Sequence, residues 1–72
     1  MKYVKRIKDT RIDNDKVQED LAKVLEITKQ QYSLYETGKR KIPIDKFIKL
    51  CEYYNLSSDY LLGLSDEPKA LK

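Results

Sequence analysis

Apolar residues recur along the chain at intervals of three and four, and nowhere do they alternate with polar ones for long enough to specify a strand. Five helices follow from that spacing. The first is predicted from Tyr3 to Ile12, with Val4, Ile7 and Arg11 on one side, and IDNDK ends it because Asp and Asn side chains compete for the backbone in turns. The second begins near Lys16 and carries Val17, Leu21, Val24 and Leu25 as one stripe, with Asp15 and Gln18 spaced as a capping box. Glu26-Ile27 is too short to form a loop before Thr28, a good N-cap, so a third helix abuts the second through a tight turn. That third helix spans Lys29 to Thr37, turns Tyr32 and Tyr35 inward, and stops at Gly38. In the fourth, Pro43 occupies the first turn, Ile44, Phe47, Ile48, Cys51 and Tyr54 form the apolar face, and Asn55 closes it. Ser57 or Ser58 caps a last short helix over 59–62 that ends at Gly63, after which residues 65–72 are expected to trail as a mobile tail.

Seventy-two residues with 40% apolar content make one domain, over 1–64, and 38% charged residues exclude a membrane span. The N-terminal stretch lacks the apolar run of a signal peptide, and one cysteine allows no internal disulfide, so a cytoplasmic location is expected. Charge is segregated along the chain. Residues 1–11 carry five cations against one acid, 12–27 two against five, 28–49 six against two, and 50–72 two against four. Two basic blocks flanking an acidic one suggest a one-sided positive face.

Catalysis has little to stand on. There is no His, no Cys pair, no phosphate-binding glycine loop and no metal-ligand spacing, so no catalytic residue, metal or cofactor is assigned. Cys51 lies in an apolar stripe and reads as a small core residue. Asp13, Asp15, Glu19 and Asp20 lack the glycine and terminal Glu of a calcium loop. Six tyrosines could stack on single-stranded bases, but Tyr32, Tyr35 and Tyr54 fall on apolar faces and read as core.

Two short abutting helices, the second capped by Thr and polar on its outside, make a helix-turn-helix. RIKDTR, VQEDLAKVLEIT, YSLYETGKRKIP, FIKLCEYYNLS and SSDYLLG, in that order between Arg6 and Gly63, make the chain resemble the Cro and lambda-repressor-like (XRE) helix-turn-helix family. The resemblance implies an all-α, compact five-helix fold with the helix-turn-helix formed by the second and third helices and the third lying in the DNA major groove. It implies base-edge contacts for Lys29, Gln30, Gln31 and Leu34, phosphate contacts for Gln18 and Thr28, and a structural ion pair between Arg11 and Glu36. Ser33 is placed with the phosphate contacts, as are Lys39, Arg40 and Lys41, whose loop could follow the backbone. The residue types suit the task, since Gln pairs a donor and an acceptor with adenine and Lys donates to guanine.

Four positions depart from the family pattern: Thr10 replaces a core Leu, Val17 a capping hydroxyl, Glu26 a turn Gly and Leu34 a polar residue. A left-handed Glu26 would carry about 1–2 kcal/mol of strain. The function expected is sequence-specific double-stranded DNA binding by a small transcriptional regulator, a repressor that occludes its promoter. Two copies on half-sites about 34–36 Å apart would give useful specificity; Tyr60, Leu61 and Leu64 could form a pairing surface, or the leucines could equally finish the core. The alternative is a protein-interaction module, such as an antitoxin or accessory factor, contacting a protein partner through Leu34 and the acidic block 13–26.

Overall fold

A computed structural model describes residues 2–71. Five α-helices account for the regular structure: α1 Lys2–Asp13, α2 Gln18–Leu25, α3 Lys29–Glu36, α4 Ile44–Tyr54 and α5 Ser58–Leu62. No strand occurs among the described residues, and none of the helices is long and apolar enough to cross a membrane. α2 packs on α3 and α4, while α1 bridges α3 and α5. Ile7, Leu21, Leu25, Tyr32, Leu50 and Leu61 are wholly buried where these helices meet.

The start of α2 differs from the expected Asp15–Gln18 capping box. Asp15 sits in the turn with φ 56°, its N–H donating to Ile12 O at 3.0 Å, and Val17 occupies the N-cap. The carboxylate that caps belongs to Asp20, which accepts from the Val17 N–H at 3.0 Å. A capping side chain can serve from either side of the helix start, so an apolar cap residue is tolerated when the third helical position reaches back. Val17 is 60% exposed in consequence, and Ala22 takes its place in the buried stripe with Leu21 and Leu25.

Between α2 and α3, Glu26 adopts φ 58° and ψ 43°, the left-handed conformation that a family glycine would hold without strain. This reverses the chain in so few residues that Ile27 N–H still reaches back to Ala22 O at 2.9 Å. Lys46 of α4 donates to Leu25 O at 2.9 Å and so satisfies one of the carbonyls that the end of α2 leaves open.

α4 is rotated relative to the stripe expected for it. Phe47, Leu50 and Cys51 are buried and Tyr54 half-buried, whereas Ile44 and Ile48 are 72% and 50% exposed. Seven apolar positions make an arc wider than the one neighbouring α2 and α5 can cover, and its Ile44–Ile48 edge remains outside. Pro43 is the N-cap rather than a first-turn residue, its carbonyl accepting from Phe47 N–H at 3.0 Å.

The end of the chain is held to its beginning. Arg6 donates through Nη1 to Tyr60 O at 2.8 Å and Ser65 O at 3.0 Å, through Nη2 to Asp66 at 3.1 Å, and lies 4.2 Å above the Tyr60 ring. Gly63 closes α5 with φ 84°, where an added Cβ would stand 2.8 Å from Lys2 Cβ, so backbone conformation and the approach of α1 both require glycine. Residues 65–71, expected to trail, instead fold back along the α4–α5 connection: Ser57 N–H donates to Lys69 O at 2.8 Å and Leu71 N–H to Asn55 O at 3.2 Å. Tyr60 and Leu61 are taken up by this packing, leaving Leu64 as the exposed member of the pairing surface expected there.

Replacing Glu26 by Gly releases the left-handed strain and loses only an exposed 3.7 Å pairing with Lys49. After the entropic cost of glycine, Glu26→Gly should raise unfolding stability by about 0.5–1 kcal/mol. A lowered urea midpoint would refute the strain.

Candidate nucleic-acid interface

Thr28 builds the start of α3. Its Oγ1 accepts from Gln31 N–H at 3.1 Å, and Gln31 Oε1 accepts from Thr28 N–H at 3.2 Å, a complete reciprocal cap. Beyond it Lys29, Gln30 and Gln31 are all exposed, while Tyr32, Tyr35 and Glu36 on the opposite side are buried. The three polar side chains thus share the outer surface of a helix braced from behind. They are not equivalent. Gln31 spends its carbonyl oxygen on the cap and has its amide donors left, whereas Lys29 and Gln30 make no side-chain hydrogen bond among the described residues. Ser33 and Leu34, one turn on, are half-buried.

Glu36 explains how α3 is oriented. It is 4% exposed and receives Arg11 Nε at 3.2 and 3.0 Å on its two oxygens and Arg11 Nη2 at 2.8 Å. Arg11 Nη1 also donates to Lys16 O at 2.9 Å, so one guanidinium joins α1, the turn before α2, and α3. Gln18 Nε2 adds a hydrogen bond to Glu36 Oε1 at 3.3 Å, which brings the first residue of α2 into the same cluster. This link has no local sequence signature, because its partners lie eighteen residues apart. It leaves Gln18 with one amide hydrogen and its carbonyl for any other contact.

Burial by itself would push the Glu36 carboxyl up, but the hydrogen bonds from Arg11, with help from Gln18 and the nearby Tyr32 hydroxyl, hold it below the ordinary value of 4.5. Hydrogen bonding to Glu36 in turn raises the Arg11 guanidinium. Burial raises Tyr32 and Tyr54, whose hydroxyls approach this cluster without forming well-shaped hydrogen bonds, and burial also raises the Cys51 thiol. Thr10, in the place of a family Leu, is buried with its hydroxyl unpaired, while its carbonyl accepts from Asn14 Nδ2 at 2.7 Å.

At the other end of α3, Gly38 takes φ 79° and the chain turns back so that Arg40 N–H donates to Leu34 O at 3.1 Å. Lys39 and Arg40 project from this turn, exposed and unpaired among the described residues. The stem of Lys41 lines a hollow with Tyr3, Ile42 and Ile44, which sets it apart from the other two. No cluster of metal-ligating side chains occurs among the described residues.

The family model described as Helix-turn-helix matches residues 7–61. The uncharacterized HTH-type transcriptional regulator YobD of Bacillus subtilis (strain 168) is 38% identical over 66 residues, covering 92% of this chain and 59% of that protein. The HTH-type transcriptional regulator ImmR of the same organism is 36% identical over 69 residues, covering 96% of this chain and 54% of its own. The chain therefore spans less than two thirds of the length of the curated relatives it matches. No solved structure matches it significantly.

Breaking the Arg11–Glu36 pair from the arginine side strands a buried carboxylate, at a cost of about 3–5 kcal/mol near neutral pH. In the wild type the lowered Glu36 value means that its stabilisation is full above pH 4.5 and is lost as pH falls through the lower folded value. In Arg11→Met burial is opposed only by Gln18 and the Tyr32 hydroxyl, the folded value rises, and protonation relieves the penalty as pH falls through it. Melting temperatures should accordingly lie far apart near neutrality and converge toward about pH 4. A constant gap would show that Glu36 does not carry the charge.

Proposed function

The chain belongs to the XRE-type helix-turn-helix family, and from that premise we propose that it is a sequence-specific double-stranded DNA-binding transcriptional regulator, acting in the cytoplasm as a repressor through two copies on adjacent half-sites. The observation that carries this reading is the shared exposure of Lys29, Gln30 and Gln31 on a helix whose other side is buried and whose first turn is locked by Thr28.

In this reading α3 enters the major groove and the side chains divide their work. Gln30, free to present amide donor and carbonyl acceptor together, suits adenine N6 and N7; Lys29 suits guanine. Gln31, with its carbonyl on the cap, offers donors only and favours an acceptor edge. Leu34, half-buried at its base, offers apolar contact to a thymine methyl. Lys39 and Arg40 supply attraction to phosphates irrespective of sequence, with Lys41, Ser33, Thr28 and Gln18 as further backbone contacts. Glu19 and Asp20 in the first turn of α2 oppose a phosphate there, so Gln18 contributes less than the loop cations.

Binding to duplex DNA should fall steeply as salt rises. Gln30→Ala should relax preference at one base pair by about 1–3 kcal/mol, and Lys39→Ala should weaken every sequence alike while lowering the salt slope by about one unit. Selection of duplexes from a random pool, followed by titration of both variants at several salt concentrations, measures these effects. Equal weakening on all sequences by both variants would sink the division of labour, and no retention on mixed duplex at low salt would redirect the search to a protein partner.

A further inference from the structure

Of the two basic blocks that flank the acidic stretch, the turn after α3 has a place in the DNA reading, whereas residues 1–11 have none. Most of their charge is spent inside the monomer. Lys5 holds Asp9 at 2.6 Å, Arg6 is taken up by Tyr60 O, Ser65 O and Asp66, and Arg11 by Glu36 and Lys16 O. The stem of Lys2 lies against Gly63 at the end of α5. That leaves Lys8, which is exposed and has no ionic partner among the described residues.

The position of Lys8 is fixed from both sides. One turn before it, Val4 packs on the turn after α3, where a Cβ on Gly38 would stand 3.5 Å from a Val4 methyl. One turn after it, Arg11 grips Glu36 at the end of α3. Residues spaced by four and by three share one side of a helix, so Lys8 stands on the α3 side of α1, between those two contacts. Gly38 is followed at once by Lys39 and Arg40, exposed and unpaired among the described residues. Three free cations therefore border the same end of α3. No free acid offsets them: Glu36 is the only acid from residue 28 to 41 and is buried under Arg11, Asp9 is held by Lys5, and Asp13, five residues along α1, points to another side. Cations gathered without partners repel one another, and an anionic backbone relieves that repulsion.

We infer that Lys8 makes α1 a DNA-contacting element, its ammonium meeting the sugar–phosphate backbone beside the phosphates that Lys39 and Arg40 contact. The inference rests on the DNA reading and adds to it a contact from outside the helix-turn-helix. Lysine acts here as a point charge, so the contact adds affinity without base preference. The Arg11–Glu36 pair and the Val4–Gly38 packing hold α1 against α3, which keeps this phosphate in register with the bases that α3 meets.

The full chain and a duplex selected from a random pool test the contact, by titration at several salt concentrations and by ethylation interference, which finds the phosphates whose neutralisation blocks binding. Lys8→Ala should bind more weakly at low salt, lower the salt slope by about one unit and keep the base preference. Between about 50 and 200 mM salt it should lose about 3-fold less affinity than the wild type does. In the wild type, ethylation should interfere at a phosphate next to those assigned by Lys39→Ala, and that position alone should fall silent in Lys8→Ala. Lys8→Arg should restore slope and pattern. Lys5→Ala, which removes the same charge from the same helix, should leave both as in the wild type, and unchanged melting of every variant excludes a folding defect. An unaltered slope in Lys8→Ala, an interference pattern indifferent to the ammonium, or a slope lowered equally by Lys5→Ala would overturn the inference and leave the DNA reading in place. A wild type that ignores duplex DNA at low salt removes both.

Discussion

The buried contact between Arg11 and Glu36 sets the orientation of everything the interface presents. Glu36 ends α3 on its inner side, and the only way to keep a carboxylate there is to surround it with donors. Arg11 brings three hydrogen bonds from α1, Gln18 brings one from α2, and Arg11 itself reaches the carbonyl of Lys16 in the turn between those helices. A rotation of α3 about its axis would break several of these at once and leave charge unpaired in the interior. Apolar packing of Tyr32 and Tyr35 would tolerate small rotations; the ion pair does not.

Local backbone devices then fix where α3 begins. Glu26 in the left-handed region reverses the chain immediately after α2, and Thr28 with Gln31 closes the first turn two residues later. The strain at Glu26 and the capping at Thr28 act on the same few residues, so the angle between α2 and α3 is set within a very short stretch. The cap has a chemical consequence too. Because Gln31 uses its carbonyl to hold the helix start, the outer face of α3 has one free acceptor fewer than its sequence suggests.

The far side of the molecule follows a different logic. α1 is tied to the C-terminal region by Arg6, which fills the end of α5 and collects Ser65 and Asp66, and by the close approach of Lys2 to Gly63. These contacts absorb Tyr60, Leu61 and the segment after residue 64 into the body. What stays uncovered is the outer edge of α4. A small domain has few elements with which to cover an apolar arc, and here the arc is wider than its neighbours. The outer face of α3 and the edge of α4 therefore belong to separate parts of the fold, joined through the core residues Leu21, Leu25 and Leu50.

Much of this was legible from residue order alone. The five helices, Thr28 as a cap, Gly38, Asn55 and Gly63 as stops, and the outward face of Lys29, Gln30 and Gln31 all depend on interactions within four residues along the chain, which spacing and residue type determine directly. The ion pair of Arg11 and Glu36 was reached only through resemblance to a family, since twenty-five residues separate its members. Tertiary packing decided the rest. It chose which part of the α4 stripe to bury, turned Leu50 in and Ile44 and Ile48 out, tied Gln18 to Glu36, and laid residues 65–71 against the α4–α5 connection. Periodicity defines how wide an apolar face is, but which arc of it meets a neighbour depends on helix positions that no short segment encodes.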